Sequence, residues 1–142
     1  MSFGGTKIAL LLGSDLLAYR RDDKPEIPFP NCWDLPGGGR EGEETPFECA
    51  QREVLEEFGF VFEEAGVIWR RAYTTSDITN HFLVGQLRPD QLQSIQFGDE
   101  GQEWRMMPVE EFLARSDAIP QLQQRLRDYL DESLGEGEPV VS

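Results

Sequence analysis

The sequence predicts a mixed α/β domain, and three features carry that prediction. Residues 46–58 hold a helical apolar period between a start signal and a stop signal. Five apolar runs, at Lys7–Leu12, Leu16–Arg20, Val61–Tyr73, Thr79–Leu87 and Glu103–Met107, have the character of strands, and a second amphipathic helix follows Pro120. Strands that surround one helix and precede another call for a sheet with helices packed on it.

Taken in order, Lys7–Leu12 reads as a buried strand, Gly13-Ser14-Asp15 as a turn and Leu16–Arg20 as the next strand, so the pair forms a hairpin or flanks a chain reversal. Arg20 and Arg21 stand at its end. They are two of only 13 basic residues, and serve either as charge-balancing surface or as contacts to phosphate oxygens, which suit a bidentate guanidinium. Asp22–Asn31 contains Pro25, Pro28 and Pro30 and is a loop of a length that is often functional. Trp33 is expected to enter the core, as a large aromatic beside a strand usually does.

Beyond the central helix, Val61–Tyr73 is interrupted by Glu63-Glu64 and Gly66, and the polar residues Thr74–Asp77 turn the chain into Thr79–Leu87, giving a hairpin of a mixed sheet. His81, the single histidine, is read as a sheet residue, because one His without a partner identifies no catalyst. Pro89–Gly101 is polar, with Leu92 and Phe97 as anchors. Pro108–Ala114 begins a short helix, and Pro120–Leu134 is a longer one that packs Leu122, Leu126, Tyr129 and Leu130 on the sheet. The domain is expected to span 1–134, with 135–142 an acidic flexible tail.

The central helix can be derived residue by residue. Thr45-Pro46-Phe47-Glu48 is a capping box: the Thr45 hydroxyl accepts from the Glu48 N–H, the Glu48 carboxylate reaches back to the Thr45 N–H, and Pro46 fills the first helical position, where no N–H is needed. Gly59 supplies the left-handed residue that ends the helix. At about 100° per residue, Phe47, Ala50, Val54, Leu55 and Phe58 share one arc, while Glu53, Glu56 and Glu57 share a neighbouring arc about 100° wide. Three carboxylates so close raise one another's pKa unless a cation sits among them. Mg²⁺ or Mn²⁺, which take oxygen ligands and keep waters for a phosphate to displace, suit the set. A Glu-rich helix face is far more often plain solvated surface, so the surrounding residues decide.

Those residues follow the pattern G-x5-E-x7-R-E-U-x-E-E-x-G-U, with U aliphatic or aromatic, at Gly38, Glu44, Arg52, Glu53, Val54, Glu56, Glu57, Gly59 and Phe60. Nine positions at fixed spacing are highly specific, and the chain resembles the Nudix hydrolases, whose box this is. The box covers 23 of 142 residues, and the family's wider plan fits most of the rest. The resemblance implies an α/β/α sandwich with a mixed sheet, entered through the short strand and turn at Cys32–Gly38. It implies Mg²⁺ (or Mn²⁺) held by Glu53, Glu56 and Glu57 with the Gly37 carbonyl. Glu44 and Arg52 become an ion pair that supports the site together with Gly38 and Gly59, and an arginine near Arg20 or Arg21 faces substrate. A further acid is expected opposite the box, Glu103 in the first place and Glu100 in the second. Glu53, Glu56, Glu57 and Glu103 then form the catalytic group, with Glu53 or Glu103 as general base.

By the same resemblance the reaction is hydrolysis of a nucleoside diphosphate linked to a group X. Small size and the lack of an added domain favour the nucleoside triphosphate (MutT-like) branch over hydrolases of ADP-ribose, nucleotide sugars or dinucleoside polyphosphates. A non-catalytic nucleotide sensor is a rival reading, weakened because such modules usually lose box acids. A Ca²⁺-binding protein is another, without an EF-hand pattern to support it.

Composition sets further bounds. At 142 residues and 39% hydrophobic, the chain is long enough for one real core. A net charge of −14 disfavours nucleic acid polymers and anionic membranes, while a small nucleotide is still drawn in by metal and a few arginines. Cys32 and Cys49 form no metal or disulfide framework, and Ile8–Leu12 is too short for a leader core or a membrane span. The expectation is a cytoplasmic protein, monomer or homodimer, whose partner is a small nucleotide.

Overall fold

The structure, a computed structural model, describes residues 3–137, and of residues 134–137 the backbone alone. The described elements are β1 (Gly5–Leu12), β2 (Asp15–Arg20), β3 (Trp33–Asp34), β4 (Gly37–Gly39), α1 (Pro46–Phe58), β5 (Val67–Thr75), β6 (Ile78–Gln86), α2 (Pro89–Gln93), β7 (Glu103–Pro108), α3 (Val109–Ala114) and α4 (Pro120–Gly137). The strands form one sheet along the path β3-β2-β1-β6-β5, with β4 added to β1 and β7 to β2. β1 and β6 run parallel from Thr6↔His81 to Leu11↔Gln86, and the other pairs are antiparallel.

Alternation along the strands sorts the core into two layers. Ile8, Leu10, Leu17 and Leu83 face α1 and pack with its Phe47, Ala50, Val54 and Phe58. Ala9, Leu16, Ala18, Phe82 and Val84 face the other way, onto Phe112 of α3 and Leu122 and Leu126 of α4. The fold is therefore the expected α/β/α sandwich, with both sheet faces covered as parallel pairing requires. Trp33, 4% exposed, packs in the second layer.

α1 begins and ends where its caps place it. Glu48 N donates to Thr45 Oγ1 at 3.1 Å, Thr45 N donates to Glu48 Oε1 at 2.9 Å, and Gly59 closes the helix at φ 77°. Leu55, at the edge of the apolar arc, stays 48% exposed rather than joining the core.

β1 and β2 are a hairpin only at the tip, where Leu11 faces Leu16 and Leu12 faces Asp15. Beyond it they part, β1 to β4 and β6, β2 to β3 and β7. Side chains bridge the parting, since Lys7 Nζ and Tyr19 Oη both donate to Asp34 Oδ2. This gap becomes the floor of the site described below.

Several expected boundaries shift for physical reasons. The strand expected from Val61 starts at Val67, because Phe60 and Phe62 are drawn into the α1 layer and Glu64–Gly66 forms a 3₁₀ turn. The turn expected at Thr74–Asp77 tightens to two residues, with Ser76 at φ 53°. The polar stretch after Pro89 contains α2, started by Arg88 N donating to Gln91 Oε1 at 2.8 Å. The glycines expected as a turn pair with β1 as β4. α4 runs to Gly137, three residues into the expected tail, and 138–142 lie outside the described residues. Among the described residues no helix is long and apolar enough to cross a membrane.

The cap makes one outcome measurable. Thr45→Ala leaves the Glu48 N–H without its side-chain acceptor and is expected to cost about 1 kcal/mol of unfolding free energy. Urea denaturation of the two proteins checks this.

Candidate active site

The glycine strand β4 is pressed between β1 and α1, and that closeness dictates its residues. Gly37 sits at φ 133°, and a Cβ there would lie 2.1 Å from the Thr6 carbonyl oxygen; a Cβ at Gly38 would lie 2.5 Å from Glu53 Oε2. Only glycine brings this backbone so near the α1 carboxylates. Gly37 N donates to Glu57 Oε1 at 3.1 Å, fixing the buried end of the acidic face.

Arg52 fixes the rest. Its Nε donates to Glu44 Oε2 at 2.6 Å, Nη2 to Glu44 Oε1 at 3.2 Å and to the Gly39 carbonyl at 2.7 Å, and Nη1 to Glu53 Oε2 at 3.0 Å and Glu56 Oε1 at 3.3 Å. The planar fork thus ties the loop to the helix and holds two helix acids at once. That hydrogen bonding holds the Glu44 carboxyl below its usual range.

Glu57 lies deepest. Burial pushes its pKa up to about 8, helped by the charges of Glu53 and Asp34 and opposed by Lys7 and the Gly37 N–H. Burial also raises Glu53. Below them Asp34, 0% exposed, accepts through Oδ2 from Lys7 Nζ at 3.0 Å, Tyr19 Oη at 3.1 Å and Arg21 Nη1 at 3.0 Å. Lys7 also donates to the carbonyls of Leu35 at 3.1 Å and Gly37 at 3.3 Å. Sequence reasoning missed Lys7 and Asp34. Each is a charge inside an otherwise buried strand, and such a charge requires a partner.

The opposite wall comes from the loop after α2. Gln96 N donates to the Phe58 carbonyl at 2.8 Å and Gly98 N to that of Glu57 at 2.9 Å, satisfying acceptors that the end of α1 leaves open. Phe97 packs against Phe58 and Tyr19 at centroid distances of 5.6 and 6.2 Å. So tethered, the loop brings Asp99 and Glu100 to Glu53, Glu56 and Glu57, and the five carboxylates line one pocket of about 150 Å³.

Glu103 is not in that group. Its register partner on β2 is Arg20, next to Tyr19, and Tyr19 faces α1; Arg20 and Glu103 share the other face, joined at 3.4 Å, with Arg20 beside the Trp33 ring. Of the acids expected opposite the box, the structure presents Glu100, together with Asp99, which the sequence had not singled out. Arg21 points to the site floor, held by Asp34 and by the Pro28 carbonyl at 2.9 Å. His81 pairs with Thr6 on the sheet and sets its ring edge-on to Phe3 at 5.1 Å.

Among the described residues no three acidic, His or Cys side chains already stand in a coordinating cluster. Arg52 takes up Glu53 and Glu56, and the Gly37 N–H takes up Glu57. The donor set nevertheless fits a hard divalent cation, being carboxylate oxygens that line one pocket with the half-buried Glu57 among them. A second cavity of about 360 Å³, between the sheet and the start of α4, is lined by Lys7, Arg21, Asn80, Leu122 and Arg125 and by Gly38, which lies against Glu53.

Two outcomes check this geometry. Arg52→Ala releases the loop and two helix acids, and is expected to lower unfolding free energy by about 2 kcal/mol and the rate with it; an unchanged melting temperature would contradict its supporting role. Glu57 is raised from 4.5 to about 8 in the folded chain, so the folded state binds that proton more tightly. Its stabilising contribution is full below the unfolded value and is lost as pH rises through about 8. With chelator present, the parent should therefore lose melting temperature relative to Glu57→Gln as pH is raised from about 5 to about 8.5. A gap that stays constant across thermal melts would count against a buried carboxylate at 57.

Comparison with known proteins agrees with the fold. The family model for the NUDIX domain matches residues 5–131. Among solved structures, a MutT protein from Methanosarcina mazei Go1 is 19% identical at a TM-score of 0.70, covering 91% of this chain and 93% of that one. An Ap4A hydrolase from C. elegans, solved as a binary complex, is 18% identical at 0.69, covering 92% and 98%. A bifunctional NMN adenylyltransferase/ADP ribose pyrophosphatase from Francisella tularensis, complexed with AMP and a Mn ion, is 16% identical at 0.69, covering 93% of this chain and 42% of that one. These likenesses concern the fold, and the family rests on the matched domain and on the complete set of box residues: the chain belongs to the Nudix domain family, as a pyrophosphohydrolase of that family.

Proposed function

We propose that the chain hydrolyses a nucleoside diphosphate linked to a further group, a nucleoside triphosphate in the first place, by attack of water on phosphorus with Mg²⁺ or Mn²⁺ bound at the carboxylate pocket. One observation carries this reading: five acids line one small pocket, and Gly38, set against Glu53, lines a larger cavity that also holds Lys7 and Arg21. Glu53, Glu56 and Glu57 would hold the metal, with the Gly37 carbonyl beside them and Asp99 and Glu100 facing them. Bound there, the ion supplies charge neutralisation for the diphosphate and a lower pKa for water.

The chain's own groups do the remainder. Arg52 keeps Glu53 and Glu56 at fixed spacing, which a metal site requires of its supporting residues. Glu53 is the general base we assign, because it lines the pocket and its partial burial raises its pKa above the ordinary carboxylate value. Glu100 stands second, from the opposite wall. Lys7 and Arg21 give the larger cavity the positive charge that a polyphosphate needs in a chain of net charge −14. All the box acids are present, which favours turnover over sensing.

The MutT protein, the Ap4A hydrolase and the ADP ribose pyrophosphatase stand at TM-scores of 0.69 to 0.70, so similarity alone does not choose a substrate. The test is a hydrolysis screen of nucleoside triphosphates, ADP-ribose, nucleotide sugars and dinucleoside polyphosphates in ¹⁸O-water, with products weighed by mass spectrometry. Triphosphates are expected to turn over in Mg²⁺, to stop with chelator, and to lose about a hundredfold or more in kcat with Glu57→Gln. Turnover unaffected by chelator or by that substitution would reject the metal assignment.

A further inference from the structure

One cation on the wall of the larger cavity has no task in the hydrolytic reading. Arg125 of α4 lines that cavity, and among the described residues it joins no ion pair and donates no side-chain hydrogen bond. Its guanidinium lies over the Tyr73 ring, 4.6 Å from the centroid. Asp128, the acid whose charge acts on it, is already engaged: it accepts from Tyr73 Oη at 2.8 Å and Gln124 Nε2 at 3.0 Å, and faces Arg71 at 3.7 Å. The other cations on the cavity wall are engaged as well, Lys7 with Asp34 and two carbonyls, Arg21 with Asp34 and Pro28. A partly buried guanidinium carries five N–H donors and no acceptor, so it calls for acceptors that enter the cavity.

The surroundings of Arg125 suit a flat ring rather than a phosphate. Leu122 is its i−3 neighbour on the helix, Ile119 precedes that helix, and Phe29 of the Asp22–Asn31 loop lines the same cavity; these are apolar walls. Asn80, paired in register with Tyr73, and Gln121, four residues before Arg125, add two amides. An amide both donates and accepts, so Asn80 and Gln121 adapt to different ring edges. Arg125 only donates, and therefore discriminates.

Resting on the reading of the substrate as a nucleotide, we propose that Arg125 sets base specificity, donating two parallel hydrogen bonds to the adjacent O6 and N7 acceptors of guanine or hypoxanthine. Adenine presents an N6 amino donor in place of O6 and would meet the guanidinium donor to donor. A guanine oxidised at C8 carries hydrogen on N7 and loses the second acceptor. The site thus selects the undamaged ring.

Calorimetric titration of nucleoside monophosphates needs no turnover, and so separates this inference from the hydrolytic reading. GMP and IMP are expected to bind about tenfold or more tightly than AMP, 7-deaza-GMP or 8-oxo-GMP, the scale of discrimination a bidentate pair supplies. Arg125→Met, and Arg125→Lys, which keeps the charge and loses the fork, should each abolish the difference, with thermal melts showing that both variants fold. Equal affinities across the panel in the parent, no nucleotide binding at all, or a preference that survives both substitutions would overturn the proposal. So would a loss of pyrophosphate affinity in Arg125→Met as large as the loss for GMP, because Arg125 would then be a phosphate contact. Base-selective binding without turnover of any compound in the hydrolysis screen would remove the hydrolytic reading and leave this one standing.

Discussion

The site depends on one guanidinium. Arg52 reaches Glu44 on the loop and the Gly39 carbonyl on β4, and Glu53 and Glu56 on the helix, so a single side chain sets the spacing between the glycine strand and an acidic helix face. Three like charges within one arc of α1 would otherwise splay into solvent. The arrangement works because arginine offers donors in a rigid plane; a lysine has no such fork and could not span the same acceptors.

Beneath Arg52 the sheet contributes a second constraint. β1 and β2 separate after their turn, and the gap is closed by a buried carboxylate, Asp34, with Lys7, Tyr19 and Arg21 converging on it. An isolated charge at 0% exposure would be prohibitive, and three donors offset that cost. Lys7 also reaches the Gly37 carbonyl, so this network sets the height of β4 against Glu57. The floor and the helix face are thereby one unit.

Much of this was legible in the sequence, and the division follows the range of the interactions. α1 was readable to the residue because its caps, its apolar arc and its acids are set by neighbours three and four positions apart. The box residues came with it, since their spacing is local. Which acid faces the helix was not readable, because it depends on the register of β7 on β2, which turns Glu103 away, and on a loop tethered to the last carbonyls of α1, which brings Asp99 and Glu100 in. Asp34 escaped notice for the same reason, as its partners come from β1, from β2 and from the residue just after β2. The late start of β5 reflects competition between strand propensity at Val61–Phe62 and burial of Phe60 and Phe62 beside α1.

We propose that the acids held by Arg52, together with the half-buried Glu57, take a divalent cation. The most direct test is titration of Mn²⁺ into metal-free protein at pH 7 by calorimetry, in two buffers of different ionisation enthalpy. Glu57, raised to about 8, is largely protonated at that pH and must lose its proton to become a ligand. The account predicts saturable binding with release of about one proton per protein. Absence of binding, or binding whose heat is the same in both buffers, would contradict it.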